Sequence, residues 1–123
     1  TVTSLKLALN SREKRAGEFW VKSQGEYLRI APETIIRFQA DRDYVRVHIA
    51  GADYLYQENL ASLELGLDPA DFTRIHRSTI VRRSAIARIK TAPFAALIAV
   101  LSDGSEVRVG RTYATGIRAA LAR

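Results

Sequence analysis

A chain of 123 residues suits one domain large enough to bury a core of its own. With no cysteine it has no disulfide, thiolate metal site or thiol nucleophile, and its longest apolar run, residues 92–101, contains Pro93 and is too short to cross a bilayer. Residues 1–71 carry nine Lys and Arg against eleven Asp and Glu, a net −2, and residues 72–123 carry ten against two, a net +8; that asymmetry suggests a face prepared for a polyanion, either nucleic acid or an acidic membrane surface.

The chain does not open with the charged, apolar and small-residue succession of a signal peptide. Residues 1–16 read as an N-terminal extension or linker before a domain at 17–123, and the start at Thr1 with no methionine anywhere is expected of a domain excised from a longer protein. "FWVKSQGEYLRI" predicts a hairpin turning at Gln24-Gly25, with Val21 opposite Leu28 and Phe19 opposite Ile30 on one face. "TIIRFQA" (34–40) is a strand candidate. "DRD" (41–43) reads as a turn, since two carboxylates without a Gly-rich calcium loop make a poor metal site. In "YVRVHI" (44–49), Val45, Val47 and Ile49 point inward and Tyr44, Arg46 and His48 outward. "DYLYQ" (53–57) is a further strand, and "ENLASLELGL" (58–67) predicts a short helix with Leu60, Leu63 and Leu67 on one stripe and Gly66 as its stop.

Asp68-Pro69 breaks that helix, and "FTRIHRSTIVRR" (72–83) follows. Its "TRIH" reads as a strand with Ile75 inward and Arg74 and His76 outward; Ser78 and Thr79 interrupt it, and Ile80 and Val81 return to the core. Arg74, His76, Arg77, Arg82 and Arg83 repel one another unless a partner supplies negative charge. A basic turn held between buried anchors is a binding device. In "IAVLSDGSEVRV" a two-residue turn at Asp103-Gly104 sets Val100 opposite Val107 and Ile98 opposite Val109, with Glu106 and Arg108 on the other face. "TYATGIRAALAR" (112–123) predicts the closing helix, with Tyr113, Ile117 and Leu121 four apart, Thr112 as cap and Gly116 as a weak point. The fold class is mostly β: an elongated antiparallel sheet or sandwich with a short middle helix and a C-terminal helix.

"ADFTRIHRSTIVRRSAI" resembles the signature of the LytTR DNA-binding domain family, and the resemblance extends upstream to "IIRFQADRDYVRVHI" and downstream to "LSDGSEVRVGRTYATGIRAAL", covering roughly residues 17–122. It implies a mostly β domain that enters the DNA major groove with loops instead of a recognition helix. Such domains commonly follow a receiver, sensor or membrane module in two-component response regulators and other transcriptional regulators. They often occupy repeated sites, a habit that accommodates a dimer. The family's contact positions fall on Asp43 and Tyr44, on His76 and Arg77, and on Arg111. Two positions depart from the pattern: Arg82 stands where Asn is common, altering which base or phosphate is met, and Gly110 where Ser is common, freeing the backbone near Arg111.

The resemblance and the chemistry together assign Arg77 and Arg111 to base readout, because guanidinium bonds both acceptors of a guanine edge. Arg74, Arg82, Arg83 and Arg88 are assigned to phosphate, where charge counts more than geometry. Two roles stay open for His76, donating to DNA or bracing the turn through a carbonyl; Ser78 stabilises the turn, and His48 has no assigned role. Asp43 beside a polyanion needs a cytosine amino group or Arg42 as partner. Ser78 and His76, two apart in one turn without an orienting acid, do not make a nucleophilic site, so no enzyme activity, cofactor or metal is expected. The expected function is sequence-specific duplex binding by the cytoplasmic output domain of a transcriptional regulator. The alternative is a basic protein- or membrane-interaction module indifferent to DNA sequence. Single-strand or RNA binding ranks below both, since no aromatic run offers a stacking platform.

Overall fold

The computed structural model describes residues 19–121. The extension expected at 1–16 and the residues after Leu121 lie outside the described residues. Strands β1 (Phe19–Ser23) and β2 (Glu26–Ile30) form the first hairpin, in the expected register: Val21 faces Leu28 and Phe19 faces Ile30. Both central turn residues take positive φ, Gln24 at 50° and Gly25 at 82°, the mirror-image turn that matches strand twist.

Strands β3 (Ile35–Asp41), β4 (Tyr44–Ile49) and β5 (Ala52–Tyr56) follow, then helix α1 (Leu60–Gly66). The Asn59 side chain caps α1 by accepting from Ser62 N at 2.8 Å, and Leu60 and Leu63 are buried. After α1 come β6 (Phe72–His76) and β7 (Thr79–Arg82), which join the preceding strands in an antiparallel sheet of order β5-β4-β3-β7-β6. A second sheet, order β10-β9-β8, contains β8 (Ile86–Ala92), β9 (Ala96–Leu101) and β10 (Glu106–Arg108), and helix α2 (Arg111–Leu121) closes the described chain.

The five-stranded sheet contributes to a core on each face, the second drawing only on β3, β6 and β7. One core joins Phe19, Val21 and Ile30 of the first hairpin to Phe38, Val45, Val47, Phe72 and Ile80, with Leu60 and Leu63 of α1. The other joins Ile36, Ile75 and Val81 to Leu97, Ala99 and Leu101 of β9, Val109, and Ala114 of α2. Successive strand residues point to opposite faces, so the adjacent Ile80 and Val81 enter different cores.

The second hairpin differs from expectation. Val107 faces Ala99, Glu106 faces Val100 and Arg108 faces Ile98, one position out of the expected register. The loop has three residues, Ser102, Asp103 and Gly104; Leu101 N donates to Ser105 O at 2.8 Å, and Gly104 alone has positive φ, 87°. The Asp103 carboxylate fixes this loop by accepting from Ser105 N at 2.9 Å and Ser105 Oγ at 2.5 Å. The shift gives Leu97, Ala99 and Leu101 the inward face. Strand β8 was not anticipated, since the polar and apolar residues of "IARIKTA" do not alternate strictly. In α2 the first bonds run from Tyr113 N and Ala114 N to Gly110 O, so Thr112 sits inside the first turn and does not cap it. Leu121, expected on the core stripe, is 59 % exposed.

Candidate nucleic-acid interface

Three connections meet at one end of the five-stranded sheet. The β3–β4 turn carries Asp43 and Tyr44, both exposed, with Arg42 at φ 58°. The β6–β7 turn carries His76 to Thr79, and the β10–α2 junction carries Gly110 and Arg111. The pairings Asp41 with Tyr44 and Gln39 with Thr79 put the first two side by side on β3, and Ala40 N donates to Ser78 O at 2.8 Å. Gly110 N donates to Ile75 O at 2.7 Å, which fastens the third to the second. The junction is close enough that a methyl group at Gly110 would lie 3.1 Å from Tyr113 Cδ2 and 3.4 Å from His76 Cα. The backbone before Arg111 is therefore tied down, where the sequence suggested that glycine frees it.

The β6–β7 turn is braced from within. Arg74 Nε donates to His76 O at 3.1 Å, its Nη2 to Arg77 O, and its Nη1 pairs with Glu64 of α1 at 2.9 Å. His76 Nδ1 accepts from Ser78 N at 3.2 Å and lies 2.9 Å from Ser78 Oγ, so the ring proton of neutral His76 sits on Nε2. Gln39 joins the network by accepting from Thr79 Oγ1 at 3.0 Å and donating to Ser78 Oγ at 3.3 Å. His76 thus braces the turn through a backbone N–H, where a carbonyl was considered.

Of the nine residues singled out in the sequence, Asp43, Tyr44, His76, Arg77 and Arg111 share this end, and Arg77 and Arg111 are exposed. Arg74 stands among them with its guanidinium turned to the internal acceptors just named. Arg82, expected on phosphate, is turned inward as well: Nε donates to Ile35 O at 2.8 Å, Nη2 to Pro32 O, and the guanidinium lies 4.5 Å from the Phe72 ring centroid. A planar, delocalised cation suits that stacked position. Arg83 is exposed at the far end of β7 and donates from Nε to Pro69 O at 2.8 Å. A four-residue strand sets it back by about 13 Å from the turn. Arg88 is exposed on β8 opposite Val100.

Sequence reasoning assigned no role to four residues beside this end. Arg46 bridges Asp41 and Asp53, each at 2.8 Å, and ties the ends of β3 and β5 across β4; its hydrogen bond also holds the Asp53 carboxyl below the usual range. Arg37, Gln39 and Arg108 line, with His76, Ser78 and Thr79, a polar cleft of about 250 Å³ between the two sheets. Their signal was the polar phase of β3 and β10. It marks an outward face and does not tell what meets that face. Among the described residues no group of three or more His, Asp or Glu gathers for a metal ion, and no helix is long and apolar enough to cross a membrane.

Residues 25–122 match the model of the LytTr DNA-binding domain. The chain belongs to this family. As a LytTr domain it is a DNA-binding domain, homologous to those of transcriptional regulators. It is 33 % identical to the CO-responsive transcriptional regulator RcoM of Rhodospirillum rubrum over 91 % of this chain and 53 % of the regulator. It is 30 % identical to the sensory transduction protein LytT of Bacillus subtilis over 78 % of this chain and 40 % of that protein. The chain thus spans about half or less of the length of these relatives. Its fold is that of a LytTr domain from a Bacillus cereus methyl-accepting/DNA response regulator, with TM-score 0.77, 21 % identity, and coverage of 85 % of this chain and 95 % of that one.

Proposed function

We propose that this LytTr domain reads duplex DNA in a sequence-dependent manner by inserting its convergent loops into the major groove, as the output module of a cytoplasmic transcriptional regulator. The observation that supports this reading most is the meeting of three loops at one sheet end, with Arg77 and Arg111 exposed on separate backbones fastened through Gly110 N and Ile75 O. Two guanidinium groups on braced loops are suited to bidentate contacts with guanine edges. Tyr44 and Asp43 supply the third loop, and Asp43 suits a cytosine amino group. Arg83 and Arg88, set back from the loop end, neutralise flanking phosphates. Arg74 and Arg82 act through the fold and not on DNA. The domain performs no catalysis. The regulator's sensing or receiver module precedes it in the full-length protein, and pairs of domains occupy repeated sites.

The test is selection of bound duplexes from genomic fragments, followed by affinity measurements on a selected and a shuffled fragment. Replacing Arg77 or Arg111 by Ala is expected to cost about 1–3 kcal/mol on the selected fragment and relax base preference. Replacing Arg83 or Arg88 is expected to weaken both fragments alike. If both Arg77→Ala and Arg111→Ala keep the wild-type ratio, the loops do not read sequence. Binding by the wild type that ignores sequence altogether returns the domain to the basic interaction module.

A further inference from the structure

The cleft beside the β6–β7 turn is lined by more positive charge than the fold uses. Arg37, half-buried on β3, donates from Nη1 to Ser105 Oγ at 2.8 Å, yet its Nε is buried with no acceptor. Buried donors are nearly always satisfied, and an unmet one on a cation is costly. Arg108 stands exposed on β10 at the same cleft. His76 lines it too, with the ring proton on Nε2. The Glu106 carboxylate also lies on the wall, but Lys90 Nζ neutralises it at 2.8 Å. Two guanidinium groups therefore stand over a cavity of about 250 Å³, and among the described residues neither is in a direct ion pair, although Asp103 and Asp53 lie near enough to feel the charge of Arg37. The space has room for roughly eight waters.

We propose that this cleft is a binding pocket for a phosphate group, held by Arg37 and Arg108 with His76 as a third donor. The donors come from β3, β10 and the β6–β7 turn, so they approach from different directions. That arrangement suits the tetrahedral oxygens of phosphate better than a planar carboxylate, and forked guanidinium donors pair with such oxygens two at a time. Filling the pocket places an acceptor beside the Arg37 guanidinium. It also couples the pocket to DNA reading, because His76 and Ser78 belong both to the cleft wall and to the reading turn. Two sources supply the same chemistry, a backbone phosphate of bound duplex and free inorganic phosphate. The first rests on the duplex-binding reading above; the second does not.

The test titrates inorganic phosphate into the 123-residue chain, replacing chloride at constant ionic strength, while NMR follows the Arg37 Nε–H and the amides of Ser78 and Arg108. Saturable shifts confined to these groups, with a dissociation constant in the millimolar range or tighter, are expected. Arg108→Gln, at an exposed position, is expected to weaken this binding by about fivefold or more, and Arg37→Lys, which keeps charge but loses the fork, to do likewise. Shifts that do not saturate, or that saturate equally in Arg108→Gln, overturn the pocket. In the second arm, duplex binding is measured in phosphate and in chloride at equal ionic strength. Competition by phosphate, with Arg108→Gln weakening selected and shuffled fragments alike, assigns the pocket to a backbone phosphate. Saturation by phosphate with unchanged duplex affinity assigns it to the free ion. A wild type that binds phosphate but ignores DNA sequence sinks the groove reading and leaves the pocket standing.

Discussion

Arg74 looks from the sequence like one more phosphate ligand, but its three acceptors are the carbonyls of His76 and Arg77 and the carboxylate of Glu64. Hydrogen bonds from a charged donor each contribute about 1.5–3 kcal/mol, and less where water competes. Removing this clasp by Arg74→Ala is expected to cost about 1–3 kcal/mol in urea unfolding and to lower DNA affinity with it, because the turn loses the conformation that presents Arg77. Arg74→Lys should restore little, since a point charge cannot serve three acceptors in different directions. An Arg74→Ala domain as stable as the wild type would show the clasp to be idle. That Arg74 and Arg82 turn to internal acceptors, where the sequence suggests phosphate, has a plain cause. Arg74, Arg77, Arg82 and Arg83 share one residue type in one short stretch, and only the fold decides which guanidinium turns to a carbonyl and which to solvent.

Among the elements, the two hairpins show what a turn sequence does and does not specify. Gln24-Gly25 places both residues at positive φ and gives the two-residue loop that pairs Val21 with Leu28. Asp103-Gly104 carries the same kind of signal, but Asp103 keeps negative φ and uses its carboxylate to hold Ser105 in a three-residue loop. A slip of one residue exchanges the faces of a strand, so a local choice at Ser102 decides which side of β9 is buried. The strands of the large sheet were legible because Val45, Val47 and Phe38 alternate with polar residues. β8 was not, because a strand shared between an edge and a core loses that alternation. Two glycines separate turn from helix. Gly104→Ala puts a side chain at φ 87° and is expected to destabilise by about 1–2 kcal/mol. Gly116→Ala, within α2 and with open space about it, is expected to stabilise by about 0.5–1 kcal/mol. Thermal unfolding of the two variants checks both signs.

For the molecule as a whole, charge and proton binding set the working conditions. If about four phosphates are neutralised, log K for duplex should fall with log salt at a slope near about −4; a flat response would remove the backbone contacts. His48 stands across from Arg37 on β4. Burial first, and the charge of Arg37 second, hold its imidazole below the ordinary value. The unfolded chain then binds the proton more readily, so stability is full above pH ~6.5 and falls as acid brings the pH from there towards the folded value. His48→Gln should flatten the urea midpoint over that range, and an unchanged slope would assign the loss to other groups. The loop end was legible through the resemblance, which brings together positions far apart in sequence. The cleft was not, because Arg37, His76 and Arg108 meet only when two sheets pack.

The side-by-side placement of Ile80 and Val81 in opposite cores makes β7 the shared wall of the protein. Neither core can open without releasing that strand, so the two should melt together and not in stages. The β6–β7 turn that carries Arg77 leads directly into the same strand. A ligand that grips the turn should therefore slow hydrogen exchange at amides deep in both layers, far from any atom it touches. Occupancy of DNA would then be readable as a stiffening of the entire fold.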